Sequence, residues 1–176
     1  SPHVVTVFGL LAHVPVAILI AQGYFGYAAV GLIVFGLFDT LDGELARLQN
    51  RASNLGMFLD STTDRLKEIM IYVGVAFALV AFDKPYMAVW ALAAVGLSLL
   101  TSYINAWGDV VLARANASGH KVNSSLRGGF LPFEVRMTLI IIALLTSRLS
   151  LLVVFIAIGA GLTVLDRSFR IIRKLS

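Results

Sequence analysis

The sequence predicts an all-α integral membrane protein, with six transmembrane helices in one bundle. Apolar residues make up 59% of its 176 residues, and the mean hydropathy is +0.88. This is too apolar for a soluble domain of that length. Backbone N–H and C=O groups must be paired inside a bilayer, so the apolar segments are expected to be helices. No internal repeat divides the chain, and residues 1–176 are predicted to form one transmembrane domain.

Six apolar stretches follow one another along the chain, each ended by polar or helix-breaking residues. The predicted spans cover residues 4–21, 24–48, 55–82, 86–112, 133–146 and 149–165. Gln22-Gly23 separates the first two, Asp83-Lys84-Pro85 ends the third, and Thr146-Ser147-Arg148 ends the fifth. Several spans exceed the roughly 20 residues that cross a bilayer, so helices two and three are expected to project beyond it.

Basic residues are concentrated on one side of the predicted bundle. Arg47 and Arg51 lie between spans two and three, further basic residues lie between spans four and five, and a cluster follows span six. The opposite connections carry only Lys84 and Arg148. The positive-inside rule therefore places the first side, and both termini, in the cytoplasm. The net charge of +4 fits this orientation better than nucleic-acid binding, and the absence of cysteine excludes disulfides and thiol chemistry.

Four aspartates interrupt the apolar sequence between residues 39 and 64. Ionised side chains are costly within a membrane and usually face an internal cavity. Asp39 and Asp42 are three residues apart on span two, and Asp60 and Asp64 are four apart on span three, so each pair shares a helix face. The short connection predicts that the two spans pack antiparallel. The four carboxylates are therefore expected to meet in a polar cavity that faces the cytoplasm.

This cluster predicts a site for divalent metal ions. Four neighbouring carboxylates repel one another without cations, and hard oxygen ligands suit Mg²⁺ or Mn²⁺. Two such ions can clamp a diphosphate and neutralise charge during displacement at phosphorus. Gly43 and Gly56 allow a ligand to approach the backbone closely. Arg47 adds a permanent positive charge for a phosphate or a ligating carboxylate.

Two other interpretations of the same residues stay open at this point. Intramembrane carboxylates also build proton relays, so a small ion- or proton-coupled transporter is the non-enzyme alternative. An aspartate of the group can also be a structural partner of Arg47 or Arg65. Gly43 and Gly56 can be packing glycines, because small residues line the interfaces between membrane helices. Four acids at helical spacing favour the metal site over these alternatives.

The segment from Asp39 to Asp64 resembles the motif of the CDP-alcohol phosphotransferases. In that family the pattern reads D-x2-D-G-x2-A-R-x8-G-x3-D-x3-D. Every defined position is present here: Asp39, Asp42, Gly43, Ala46, Arg47, Gly56, Asp60 and Asp64. The resemblance covers essentially the whole chain and implies a six-helix membrane fold. It implies a reaction in which a CDP-linked alcohol loses CMP as the hydroxyl of a second alcohol attacks the β-phosphorus.

The resemblance also implies a role for each matching residue. Asp39, Asp42, Asp60 and Asp64 would hold Mg²⁺ or Mn²⁺, with two ions expected, and Asp64 would also be the general base. Gly43, Ala46 and Gly56 would line the cytidine-diphosphate pocket, with Arg47 beside them. Thr6 matches the threonine of a second, N-terminal pattern near the nucleotide, although His3 departs from that pattern. Many relatives dimerise in the membrane, so a homodimer is expected.

The acceptor is expected to be a small alcohol phosphate, because fixed arginines suit phosphate groups. Gly128-Gly129-Phe130, followed by Glu134 and Arg136, resembles the corresponding stretch of members that use inositol phosphate. Arg167 stands where those members have an arginine in helix six. The resemblance thus implies inositol phosphate as acceptor and CDP-diacylglycerol or CDP-archaeol as donor. Glycerol 3-phosphate and serine are the alternative acceptors.

One position departs from the acceptor pattern. Asn105 stands where the family has a lysine after Ser-Tyr-Ile in span four, and Arg114 and Lys121 are the candidates that replace it. The phosphate site is therefore predicted to consist of Arg136, Arg167 and Arg114. The alternative is that these arginines serve only as orientation anchors at the membrane surface.

We expect the aspartate cluster to be required for turnover but not for folding. Replacing Asp39 or Asp60 with Asn should abolish CMP release, whereas removal of a repelling carboxylate should leave the bundle folded. CMP release measured beside a detergent melting curve tests this. Normal CMP release by either variant would contradict the assignment.

Overall fold

Six helices account for the described chain, as the sequence predicts. The computed structural model describes residues 2–48, 54–117 and 130–175, and it describes side chains at 8–38, 55–115 and 130–175. Within these ranges the chain contains no strand, and the all-α class is confirmed. The helices are α1 Pro2–Ala21, α2 Phe25–Leu48, α3 Asn54–Ala81, α4 Pro85–Ala117, α5 Phe133–Leu145 and α6 Leu149–Leu175.

Helix α6 is longer than predicted. It was expected to end near Leu165, where the basic residues begin, but it continues to Leu175. Neither glycine nor proline occurs after Leu165, and Arg170 donates from Nε to Asp166 Oδ1 at 3.0 Å, one turn apart. The basic residues therefore mark a change of surroundings, and not the end of the helix. Helix α5, with 13 residues, spans only about 20 Å along its axis.

Three helix pairs, α1–α2, α3–α4 and α5–α6, are joined by turns of one kind. Each turn contains a residue with positive φ: Gly23 (83°), Asp83 (59°) and Ser147 (54°). In each, the next backbone N–H reaches back to close the preceding helix, which satisfies a carbonyl that would otherwise lack a partner. These bonds run from Tyr24 to Leu19 (2.9 Å), Lys84 to Leu79 (2.8 Å) and Arg148 to Ala143 (2.9 Å).

The three tight turns lie at one end of the bundle. A side chain at Gly23 would collide with the ring of Phe82, and that ring also packs on Phe25, with centroids 5.8 Å apart. Tyr24 and Leu145 line a common hollow at this end. The C-terminal ends of α2, α4 and α6, with the N-terminal ends of α3 and α5, therefore belong to the other end. The early residues of α3, including Asp60 and Asp64, lie there.

Helix packing differs from the prediction in one respect. Spans two and three were expected to pack directly on each other, but over the described residues they share little contact. Instead α1 packs against both α2 and α3, α3 packs against α4, and α4 against α6, while α2 also packs against α5. A short connection limits how far two helix ends can separate, but it does not require the helices to pack along their length.

The distribution of polarity is that of a membrane protein. Large apolar side chains such as Phe77, Leu92 and Phe155 face outward, with 58–65% of their surface exposed. Charged side chains, including Glu68 and Arg136, are buried inside. Soluble proteins rarely expose such extensive apolar surface. Within the residues whose side chains are described, two helices are long and apolar enough to cross a bilayer, namely α4 over Pro85–Ala115 and α6 over Leu149–Leu175.

The closest approach of α1 and α3 depends on Gly74. A Cβ atom at Gly74 would lie 2.5 Å from the carbonyl oxygen of Ala17, which belongs to the backbone and cannot move aside. We expect Gly74→Ala to lower the free energy of unfolding by about 1–3 kcal/mol through overpacking. Gly96→Ala is the control, because a Cβ there meets no atom within 4 Å. Melting temperatures in detergent compare the two, and equal values would contradict this account of the α1–α3 contact.

Candidate active site at the open end of the bundle

Two of the four motif aspartates have described side chains, and both lie near the start of α3. Asp60 is exposed, and the Asp64 side chain retains 24% of its surface one turn later. Their spacing places both carboxylates on one face of the helix. Lys67 Nζ lies 3.5 Å from Asp64 Oδ1, and the lysine side chain is almost fully buried. The pairing of Lys67 with Asp64 was not predicted from the sequence.

Glu68 continues this row of acids into the interior. It lies four residues after Asp64, and its side chain is completely buried. Arg136 on α5 donates to both carboxylate oxygens, from Nε to Oε1 at 2.9 Å and from Nη2 to Oε2 at 3.2 Å. Arg136 also donates from Nη1 to the carbonyl oxygen of Leu131 at 2.9 Å, and only 1% of its surface is exposed. Arg136 is therefore committed to Glu68 and to the segment before α5.

Arg65 is the second cation on Glu68. Its Nη1 donates to Glu68 Oε2 at 3.0 Å and to Ser102 Oγ on α4 at 2.8 Å. Its guanidinium carbon lies 4.5 Å from the centroid of the Phe133 ring, at the start of α5. Arg65 had been considered as a partner for a motif aspartate, but its carboxylate partner in the described chain is Glu68. The three charged residues thus join α3, α4 and α5.

The predicted phosphate arginines are not all brought together. Arg167 is buried on α6 and donates from Nη1 to the carbonyl oxygen of Thr101, which precedes the Ser102 that holds Arg65. Arg136 and Arg167 therefore lie around the same part of α4. Arg114 is exposed twelve residues beyond Ser102, or roughly 18 Å further along α4. That distance places Arg114 outside the buried cluster, and the phosphate-binding role of all three stays a prediction.

The other predicted site residues lie in helices, and most have surroundings outside the described side chains. Gly56 lies in the first turn of α3 and is half-buried. Thr6 belongs to α1, and the remaining residues belong to the second half of α2. Those whose side-chain surroundings lie outside the described residues are Thr6, Asp39, Asp42, Gly43, Ala46 and Arg47.

Asp60 and Asp64 fit a role in holding a divalent cation. Their carboxylates are accessible on one helix face, and carboxylate oxygens are preferred ligands of Mg²⁺ and Mn²⁺. Among the described residues, no three acidic or histidine side chains come together in a group that would hold a metal. The other two predicted ligands, Asp39 and Asp42, have side chains outside that part of the chain.

Glu68 and Lys67 were missed as functional residues, although one sequence signal pointed to Glu68. Asp60, Asp64 and Glu68 recur every four residues, so the acidic face extends beyond the family motif. An acid within an apolar helix predicts a buried partner. The identity of that partner could not be predicted, because Arg136 lies 68 residues away in the chain.

We expect loss of the buried ion pair to destabilise the protein. Arg136→Ala leaves Glu68 with Arg65 as its only arginine partner in the described chain, and breaking a buried pair costs about 3–5 kcal/mol. Arg170→Ala is the matched control, since Arg170 pairs with Asp166 at the surface and exposed pairs contribute about 0–1 kcal/mol. Detergent melting curves measure both. Equal stability of the two variants would show that Glu68 does not depend on Arg136.

The sequence profile of the CDP-alcohol phosphatidyltransferases matches residues 1–165. Among individual relatives, the phosphatidylinositol phosphate synthase of Mycolicibacterium smegmatis is 33% identical over 144 residues, which cover 81% of this chain and 60% of that protein. The archaetidylinositol phosphate synthase of Pyrococcus horikoshii is 31% identical over 149 residues, covering 84% of this chain and 71% of that one. The chain spans between half and two thirds of the length of the phosphatidylinositol phosphate synthases that it matches.

Solved structures agree with the sequence relatives. The phosphatidylinositol phosphate synthase of Mycobacterium tuberculosis with CDP-DAG bound is 28% identical, with a TM-score of 0.78 over 97% of this chain and 86% of that chain. A second structure of that enzyme, in complex with manganese and citrate, gives a TM-score of 0.78 at 27% identity, over 97% of this chain and 82% of that chain. Because the profile matches residues 1–165 of 176, the chain belongs to the CDP-alcohol phosphatidyltransferase family.

Proposed function

We propose that this protein transfers a phosphatidyl-type group from a CDP-linked lipid to the hydroxyl of inositol phosphate, releasing CMP. Family membership supports the reaction class, and relatives named for inositol phosphate lipids support the acceptor. The observation that carries the acceptor is the pair of arginines bound to neighbouring residues of α4. Arg167 donates to Thr101, and Arg65, which directly follows Asp64, donates to Ser102. The relatives include both phosphatidyl and archaetidyl enzymes, so the donor is CDP-diacylglycerol or CDP-archaeol.

The family motif supplies the metal site of the proposed reaction. Asp39, Asp42, Asp60 and Asp64 would hold two ions, Mg²⁺ or Mn²⁺, and a relative has been crystallised with manganese. When bound, the ions neutralise the diphosphate and the charge that develops at phosphorus. Gly43, Ala46 and Gly56 line the nucleotide pocket, with Arg47 and Thr6 beside them.

Asp64 is the general base in this proposal. It takes the proton from the acceptor hydroxyl as that oxygen forms a bond to the β-phosphorus and the bond from that phosphorus to the CMP oxygen breaks. Lys67 orients the carboxylate from the buried side, with Nζ 3.5 Å from Asp64 Oδ1. A base must reach the incoming hydroxyl, and the partial exposure of Asp64 allows this.

The acceptor phosphate is proposed to bind Arg167 and Arg136, with Arg114 at the mouth of the site. Guanidinium groups match phosphate in geometry and charge. Because Arg136 already donates three hydrogen bonds to protein atoms, its direct contact with phosphate requires one of its remaining N–H groups.

The membrane arrangement follows the same proposal. All six helices are proposed to lie in the membrane as one bundle, with the polar cavity, the active site and both termini on the cytoplasmic side. The location of the three tight turns at the opposite end supports this orientation, as do the basic residues that follow α4 and those in the last turns of α6. A homodimer is proposed from the family resemblance, with no nucleic-acid partner.

Two alternatives differ in how they would be recognised. Glycerol 3-phosphate or serine would use the same chemistry, and serine would not need the arginines. A small ion- or proton-coupled transporter would need neither CDP-lipid nor CMP release, and membership of a transferase family favours the enzyme over it.

The proposal is tested by offering four acceptors to the purified protein with CDP-diacylglycerol or CDP-archaeol. We expect CMP release with inositol phosphate, weaker release with glycerol 3-phosphate, and none with inositol or serine. Removal of divalent cations by EDTA should stop release, and Mg²⁺ should restore it. Arg167→Ala should raise the acceptor KM roughly ten- to hundredfold, the usual effect of losing a charged hydrogen bond.

Arg170→Ala is the control for that variant, because Arg170 lies one turn away on α6 but is exposed. Its KM values for both substrates should match those of the wild type. Full activity with unphosphorylated inositol or serine would contradict the proposal that the acceptor carries a phosphate. Absence of CMP release with every acceptor would contradict the proposed transferase activity.

A further inference from the structure

The guanidinium group of Arg65 is held by one nitrogen and leaves its other edge open. Both of its hydrogen bonds, to Glu68 and Ser102, come from Nη1. Within the described parts of the chain, Nε and Nη2 donate no hydrogen bond to protein. The side chain keeps 23% of its surface exposed. An Nε–Nη2 edge of this kind donates two parallel N–H groups, which is the geometry that binds a phosphate or carboxylate in bidentate fashion.

Arg136 uses the equivalent edge differently. Its Nε and Nη2 both donate to Glu68, and the residue is 1% exposed. Arg136 therefore neutralises the buried carboxylate, which leaves the charge of Arg65 in excess. Two guanidinium groups share one carboxylate here, so the three side chains carry a net charge of +1. An excess positive charge that is partly buried favours an anionic ligand.

Arg65 is also fixed in orientation and depth. Its guanidinium carbon lies 4.5 Å from the centroid of the Phe133 ring, and this contact with the two hydrogen bonds of Nη1 restrains the planar group. Arg65 directly follows Asp64, so the two backbone positions differ in depth by about 1.5 Å along α3. Ser102, which holds Arg65, directly follows Thr101, whose carbonyl oxygen holds Arg167. Arg65 therefore adjoins Asp64 on α3 and shares the Thr101–Ser102 segment of α4 with Arg167.

We propose that Arg65 is a binding residue for the phosphate group of the acceptor, with its Nε–Nη2 edge as the donor. This assignment rests on the proposed function, since it names a further residue of the same acceptor site. Glu68 and Ser102 hold Nη1, and Arg136 keeps Glu68 compensated. The phosphate of the acceptor and the diphosphate of the CDP-lipid share the same chemistry, and the two sources are separated by the test below.

Arg65→Gln is the decisive variant, because it removes the open edge while Glu68 keeps its two hydrogen bonds from Arg136. Arg65→Lys restores the charge without the bidentate edge. Arg148→Gln is the matched control, since Arg148 is exposed beside the tight turn at the opposite end of the bundle. For each variant, we would measure the melting temperature, KM for inositol phosphate and for CDP-diacylglycerol, and the Kd of inorganic phosphate by calorimetry.

The expected result is a loss of phosphate affinity without loss of folding. Arg65→Gln should raise the acceptor KM and the Kd of inorganic phosphate about ten- to hundredfold, with an unchanged KM for CDP-diacylglycerol. Arg65→Lys should fall between this variant and the wild type, and Arg148→Gln should equal the wild type. The melting temperature should change far less than in Arg136→Ala.

Four results would overturn the assignment. An unchanged acceptor KM with an unchanged Kd would show that the open edge binds no phosphate, as would a wild type that does not bind inorganic phosphate. A higher KM for CDP-diacylglycerol alone would show that the open edge of Arg65 binds the diphosphate of the donor and not the phosphate of the acceptor. A loss of melting temperature and kcat at constant KM would make Arg65 a packing residue. If phosphate binding depends on Arg65 but no acceptor yields CMP, the anion site stands and the proposed function fails.

Discussion

The buried carboxylate of Glu68 is the constraint on which the site end of the bundle depends. A bare carboxylate in this environment is strongly unfavourable, so the surrounding helices must bring cations to it. Arg65 comes from the same helix, Arg136 comes from α5, and Ser102 of α4 completes the contact. The position of α5 relative to α3 is thereby fixed by a charge requirement, and not only by the shape of apolar side chains.

These contacts around Glu68 compensate for the weak packing force between membrane helices. Lipid tails are as apolar as the helix surfaces, so apolar burial alone drives association less than it does in water. Two other kinds of contact hold the helices of this chain together. Close approach occurs where side chains are small, as where Gly74 meets the backbone of Ala17. Polar contacts occur where the helices meet near the site, as where Leu131 N–H donates to Thr163 Oγ1 at 3.2 Å and Arg167 donates to Thr101.

The helices of the fold could be predicted from the sequence, whereas the neighbours against which each helix packs could not. Breaks such as Gln22-Gly23 and Thr146-Ser147-Arg148 located the turns, because a residue with positive φ ends a helix locally. The end of α6 was placed too early, since Arg167 and Arg170 indicate a change of surroundings that a helix can cross. Direct packing of α2 on α3 was expected from a short connection, but α1 packs against both. Contacts between distant residues depend on the whole bundle and leave no local pattern.

The same distinction applies to the candidate site. Asp60 and Asp64 could be predicted as candidates because their spacing is a local property, and both lie on one face of α3. Arg136 and Arg167 were chosen as cations for a phosphate, but the sequence does not indicate how many of their donors are already used by protein atoms. That number is set by Glu68 and by the carbonyl oxygens of Leu131 and Thr101.

Exposure decreases along the acidic face of α3. Asp60 is exposed, the Asp64 side chain keeps 24% of its surface, and the Glu68 side chain keeps none. The first acid is open to solvent, the second is partly exposed and contacts Lys67, and the third is buried against two arginines. With each turn along α3, the carboxylate is less exposed to solvent and lies closer to a fixed cation. Both carboxylate oxygens of Glu68 accept hydrogen bonds from Arg136, whereas Arg65 donates to Glu68 from one nitrogen only. The excess positive charge therefore remains on Arg65, which is partly exposed and directly follows Asp64.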